Sequence, residues 1–327
     1  MTITRRAHCL LAAAVLLAAT FGPAPASAQA WPEKPIKIIV PFPPGGSTDV
    51  AARQFANQLS INLGQPIVVE NVGGANGTLG LQQLARAKPD GYTLAVASNG
   101  NMVINTLLYS KLPFNPLTDF TPVAMLVEYT NLLVVKADSP LHSISDLIAY
   151  AKENPTSVTY GSAGIGASNH LGGYILAKAA GFNATHVPYK GSGPAMVALL
   201  GGNLTFMFDV LSTSMPQIQA GKIRVLASAG ITRNTQLPDV PLVADTVPGF
   251  TSGGWFGLFG PANMPPEITH RLNTEITKII QNKEFANSLA KQGTDTVPSS
   301  PEHLHAVMVR EQKQLESIMK DSGIKLD

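Results

Sequence analysis

Two glycine-rich turns are the positions in this 327-residue chain best suited to hold an anion. Pro43-Pro44-Gly45-Gly46-Ser47 follows the apolar run Ile36-Lys37-Ile38-Ile39-Val40, and Gly161-Ser162-Ala163-Gly164-Ile165-Gly166 follows Val158-Thr159-Tyr160. Each turn precedes a helix-forming segment. The N–H groups at a helix start have no intrahelical acceptor and sit at the positive end of the helix dipole, so such a turn can bind a carboxylate without any arginine. Facing each other across a cleft, the two turns would grip a carboxylate from both sides. Taken singly, either glycine set could serve only to make a tight turn.

Other polar groups fall at strand ends, where ligands of open α/β sheets bind. Ser98, Asn99 and Asn101 follow the run Tyr92–Ser98, and Ser168 opens a helix that carries His170, read as a packed helix residue. Asp209 is expected to close the apolar run Leu204–Phe208. An isolated carboxylate there is costly unless solvated or paired. It would accept a bond from a ligand amine or hydroxyl, or cap Ser212 and nearby N–H groups. Phe42 is either a pocket wall or part of the core. No GxSxG elbow, GxGxxG fingerprint, Walker loop or HExxH motif occurs, and Ser288-Leu289-Ala290-Lys291 lacks the partner motifs of an SxxK enzyme. The seven histidines show no metal-ligand spacing. The residues thus suggest binding, with no catalytic group, metal or cofactor.

The elements that must carry these residues alternate. Strands are predicted at Ile36–Val40, Pro66–Glu70 and Tyr92–Ser98, with helices between them, one beginning at an N-cap Ser47 with Asp49 in its first turn. Ala52, Ala56, Leu59 and Leu63 line one face of that helix, and Gly64 ends it. This rhythm implies a parallel sheet with right-handed crossovers. Pro122–Val135 is too long for an ordinary strand and is predicted to cross to a second β/α set. Trp255–Phe259 crosses back, and three C-terminal helices follow. The expected division is residues 29–128 and 254–327 in lobe 1 and residues 129–253 in lobe 2.

Residues 1–28 read as a secretory signal: Arg5-Arg6, an apolar run from Leu10 to Ala19, then Ala26-Ser27-Ala28 before the cut. The run falls short of the roughly 20 residues that span a bilayer. Export to the periplasm is expected. Cys9, the one cysteine, leaves with that segment, so disulfides, thiolate metal sites and cysteine nucleophiles are excluded from the mature chain. Losing Arg5 and Arg6 takes Lys+Arg from 23 to 21, equal to the 21 Asp+Glu. With no basic stripe, no nucleic-acid partner is expected.

Several segments, in order along the mature chain, resemble the Bug-type receptors, the substrate-binding subunits of tripartite tricarboxylate transporters. They are Pro41–Asp49, Asn71–Gly77, Lys88–Leu94, Tyr160–Gly164, Val187–Gly191, Phe208-Asp209 and Trp255–Phe259. The resemblance implies an α/β, two-lobed type II periplasmic-binding-protein fold with a hinge and a central ligand cleft. It also implies a carboxylate ligand (an organic acid or amino acid) and a two-component integral-membrane permease as partner. A sensory receptor feeding a membrane kinase would share the same fold. A monomer is expected. The ligand-binding set drawn from the residues and the resemblance together is Phe42, Pro44, Gly45, Gly46, Ser47, Asp49, Ser98, Asn101, Ser162, Ala163, Gly164, Ser168 and Asp209. Pro44 stands where many members carry alanine, and its ring removes one backbone donor.

Overall fold

A computed structural model describes residues 31–109 and 111–322. The predicted signal and Cys9 lie outside the described residues. Parallel strands β1 (Ile36–Val40), β2 (Ile67–Asn71) and β3 (Thr93–Ser98) form one half of a mixed sheet, with β1 in the middle. Helix α1 (Ser47–Leu63) packs on them through Ala52, Phe55, Ala56, Leu59 and Leu63, a stripe at helical spacing. Gly64 ends α1 at φ 67°, with its N–H on the carbonyl of Ser60. That left-handed cap is where glycine is least strained. Helix α2 (Thr78–Ala85) leads to β3, and a short helix α3 (Asn105–Leu108) follows it.

The long strand is real and joins the halves. β4 runs unbroken from Phe120 to Lys136. Phe120 to Thr130 pair antiparallel with β9 (Gly253–Pro261), which also pairs with β3. From Asn131 onward β4 pairs instead with β7 (Phe206–Val210) and β8 (Ile223–Ser228). β5 (Thr159–Ser162) lies between β7 and β6 (Thr185–Pro188), all parallel, so the order across the sheet is β2-β1-β3-β9-β4-β7-β5-β6. Thr130 and Asn131 therefore mark the change of partners, close to the predicted crossing.

Helices α4 (Ile144–Glu153), α5 (Ser168–Ala180), α6 (Ser192–Leu200) and α7 (Leu211–Gln219) belong to the second half. Two cores cover the two faces of its sheet, one around Phe206, Phe208, Leu147 and Leu176, the other around Met207, Leu199 and Leu211. The first half has its own core around Ile39, Leu81, Trp255 and Phe259. Helices α8 (Pro266–Gln281), α9 (Lys283–Ala290) and α10 (Pro301–Ser322) return to it, and Leu304, Val307 and Met308 of α10 complete that core. A two-residue strand, β10 (Thr294–Asp295), pairs with β4.

Two local expectations change. Ser47 is the first residue of α1, not its cap; Gly46 takes the cap position and makes no side-chain bond. Asp209 does not close a strand but lies within β7, opposite Leu132, because β7 keeps pairing with β4 through Val210. Among the described residues, no helix is long and apolar enough to cross a membrane.

Candidate ligand cleft

The turns after β1 and β5 meet across a narrow cleft beside the β4–β9 crossing. Its walls are Phe42, Gly46, Ser47 and Thr48 from the first turn, and Ala163, Ala167, Ser168 and Asn169 from the second. Ser98, Tyr129, Asn131, Ser192, Asp209, Val210 and Phe256 complete it. About 40 Å³ is open to the centres of water-sized spheres, room for a carboxylate-sized group rather than a large ligand. A wider chamber of about 260 Å³ adjoins it past the shared walls Phe42 and Ala163, flanked by Tyr109, Gly164, Tyr189 and Lys190. The halves also touch directly: the Ser47 N–H donates to Ser192 Oγ at 3.3 Å, and Ile104 and Leu108 pack on Leu171.

The amides of the turns themselves are mostly spent on holding the turns. Gly45 N–H donates to Asp49 Oδ2 at 2.9 Å. In the second turn the N–H groups of Ala163, Gly164 and Gly166 donate to Asn169 Oδ1, Ser162 Oγ and His170 Nδ1. Intrahelical bonding starts only at Val50 N–H to Gly46 and at Leu171 N–H to Ala167. The amides of Thr48 and Asp49, and of Ser168 to His170, therefore have no intrahelical acceptor. The helix starts, more than the glycines before them, keep amides without an acceptor, and Thr48, Ser168 and Asn169 among them line the cleft.

Of the expected ligand residues, Phe42, Gly46, Ser47, Ser98, Ala163, Ser168 and Asp209 line the cleft, and Gly164 lines the adjoining chamber. The other five do not. Pro44 and Gly45 are exposed and line neither the cleft nor the chamber. Asp49 is 3% exposed, and its oxygens are taken by Gly45, Arg53 and Asn71. Burial opposes its charge, but the bonds from Arg53, Gly45 and Asn71 outweigh this and hold the carboxyl below the usual range. Asn101 is fully buried with Oδ1 on the N–H of Ser98. Ser162 braces the second turn, bonding to Gly164 and to His186 Nε2 at 2.6 Å. Tyr129, Asn131, Ser192 and Phe256 were not foreseen. Tyr129 and Asn131 come from the middle of β4 and Ser192 from a third helix start, while Phe256 lies in the segment Trp255–Phe259, which carries the resemblance without marking a ligand contact.

The cleft is polar yet has no cation among its lining residues. Tyr129 Oη lies 3.2 Å from Ser168 Oγ, and burial pushes its hydroxyl up to about 12, so it stays protonated. Asp209 Oδ2 accepts from Thr213 Oγ1 at 2.6 Å and Ser214 Oγ at 2.8 Å. Burial still dominates and raises that carboxyl to about 6. Behind the second turn, the His170 and His186 rings stack 4.0 Å apart. Burial lowers them to about 4 and about 3, so both are neutral at pH 7, with His170 Nδ1 free of a proton to accept from Gly166. No cluster of three metal-ligating side chains occurs among the described residues.

Two α/β halves around a cationless cleft define a solute-binding receptor. Comparison with known proteins gives the family. Residues 51–324 match the family described as "Tripartite tricarboxylate transporter family receptor", and the chain belongs to it. The protein BugT of Bordetella pertussis is 35% identical over 329 residues, all of both chains. The solved structure of R. palustris Rpa4515 with adipate is 33% identical, with a TM-score of 0.88 over 90% of this chain and 99% of that one. The periplasmic binding protein BugD is likewise 33% identical, with a TM-score of 0.86 over 90% and 99%. This is a periplasmic-type solute-binding receptor, and its α/β two-lobed fold is that of the family.

Proposed function

We propose that the protein captures a small carboxylate-bearing solute in this cleft, performs no chemistry on it, and delivers it to a two-component membrane permease. The observation that carries this reading is the cleft itself. Two helix starts, one from each half, point donors at a cationless space sized for a carboxylate. Residues 29–128 with 254–327, and residues 129–253, act as lobes that close by bending at β4 and β9. Ligand bridging both lobes favours the closed form, which the permease reads. Residues 1–28 direct export to the periplasm and are removed there, and the receptor works as a monomer. The relative that holds adipate supports a carboxylate ligand.

The test is a thermal-shift screen of the mature protein, refolded to strip carried-over ligand, against organic acids and amino acids. A true ligand at a hundredfold excess over Kd adds about 2.7 kcal/mol of stability, a shift of several degrees. One or a few carboxylates that shift the protein, with no turnover of the bound compound, support the reading. A folded protein indifferent to every carboxylate, or one that converts its ligand, overturns it.

A further inference from the structure

Two acceptors in the cleft have no partner. Asp209 and Asn131 are both fully buried, and both line the cleft. Asp209 spends Oδ2 on Thr213 and Ser214, while Oδ1 is buried without a hydrogen bond. Asn131 donates through Nδ2 to Ser252 Oγ at 2.8 Å and Ser168 Oγ at 3.4 Å, and its Oδ1 is likewise unbonded. The amide orientation follows from its neighbours. Ser252 gives its own proton to the carbonyl of Ser168, so its oxygen is left to accept from Asn131 Nδ2.

The two residues reach the cleft from neighbouring strands. Asn131 is where β4 changes partner, and Asp209 sits opposite the next residue, Leu132, on β7, so the two side chains leave opposite faces of the sheet and both border the cleft at its end. A buried acceptor left unpaired carries a substantial penalty, greater when the group is charged. No described residue relieves it here: the lining residues hold no Lys or Arg, and the one other titratable group among them, Tyr129, is protonated and neutral. A plain carboxylate ligand would add a second negative charge beside the first. A ligand that brings donors and a positive charge would satisfy both acceptors and offset that repulsion.

We infer that the solute carries a protonated amine next to its carboxylate, seated on Asp209 Oδ1 and Asn131 Oδ1, and that Asp209 selects amino acids over plain carboxylic acids. This rests on the solute-binding reading above and assigns its ligand class. The carboxylate takes the helix-start amides of α1 and α5, the amine takes the acceptor pair, and the side chain extends past Phe42 into the wider chamber.

Calorimetry on the refolded mature protein tests it with three series of equal carbon number: alanine, lactate and propionate; aspartate, malate and succinate; glutamate, 2-hydroxyglutarate and glutarate. Within a series the ligands differ only in amine, hydroxyl or hydrogen beside the carboxylate. In the series that fits the chamber, the amino acid is expected to bind roughly ten- to a hundredfold tighter than the unsubstituted acid. Asp209→Asn, nearly isosteric, should remove most of that preference, weakening the amino acid and relieving the repulsion on the unsubstituted acid. The wild-type comparison stands by itself should that variant fold poorly. An unsubstituted acid binding as tightly as its amino acid overturns the inference and leaves the receptor reading in place. So does a hydroxy acid that equals the amino acid, since a neutral donor would then suffice. Failure of every carboxylate in the wider screen overturns both.

Discussion

The two turns that face the cleft look alike in sequence and are built on different physics. The turn after β1 is braced by charge: Asp49 holds the Gly45 N–H, Arg53 and Asn71 on one carboxylate. The turn after β5 is braced by neutral groups, Ser162, Asn169, His170 and His186. Arg53 is half exposed, so solvent and salt reach the first brace, whereas the second lies under its own helix. A glycine-rich turn can thus be held in one shape by an ion pair or by a neutral network. Only the first keeps a formal charge beside the cleft, and Asp49 neutralises it locally with Arg53.

Filling the space between the turns should produce the largest effect. Gly46 sits in extended backbone at φ −83° and ψ 167°, open to any residue, and a Cβ there would lie 3.3 Å from Ser192 Oγ. Gly46→Leu is expected to lower affinity at least about a hundredfold while the melting temperature moves little. Binding that survives in a calorimeter would remove this turn from the site. Gly164 is a poor substitute target, because its φ of +140° strains any side chain regardless of ligand.

Breaking each brace separates the two designs. Asp49→Ala should destabilise the fold by about 2–3 kcal/mol, the range for charged hydrogen bonds lost from buried partners, discounted because Arg53 faces solvent. The loss should shrink in high salt. Ser162→Ala should cost about 1–2 kcal/mol and show no salt dependence, since the groups it serves are neutral. Urea titrations at two ionic strengths decide it. Equal salt responses would dissolve the distinction.

A last expected effect concerns pH. His170 and His186 have folded values near 4 and 3, below the usual 6.5, so the unfolded chain takes up protons there first. Their contribution to stability is full above about pH 6.5 and falls as pH drops toward 3. Asp209 works in the opposite direction. Its folded value near 6 lies above the usual 3.8, so it favours the fold at low pH and gives up that advantage between pH 4 and 6. Asp209→Asn should therefore make stability rise more steeply with pH over that interval. An unchanged slope in pH-resolved urea melts would mean that Asp209 titrates normally.

Much of the architecture was legible because it follows from local rules. The run Ile36–Val40, the stripe Ala52-Ala56-Leu59-Leu63, Gly64 as its stop and the helix that Ser168 opens all appear where residue type and periodicity placed them. The crossing strand was foreseen from its length alone. The acidic residues were read less well. Asp49 looked like a ligand contact because it follows the turn, yet its oxygens are satisfied by Arg53 one helical turn on and by Asn71 on β2. Asp209 looked like a strand terminus, yet pairing with β4 extends the strand beyond it.

The sequence by itself determined the alternation of strand and helix, two glycine-rich turns leading into helices, and the lack of a cation within either turn. These depend on residue type and spacing over one or two elements, where backbone geometry and capping decide. Tertiary structure alone decided that loop amides are consumed internally, that helix-start amides remain, and that Tyr129, Asn131 and Ser192 join the cleft. Those outcomes depend on which strands pair and in what register. Asn131 reaches the site only because β4 changes partners at that residue, 78 positions before Asp209 in the chain and one residue away in register.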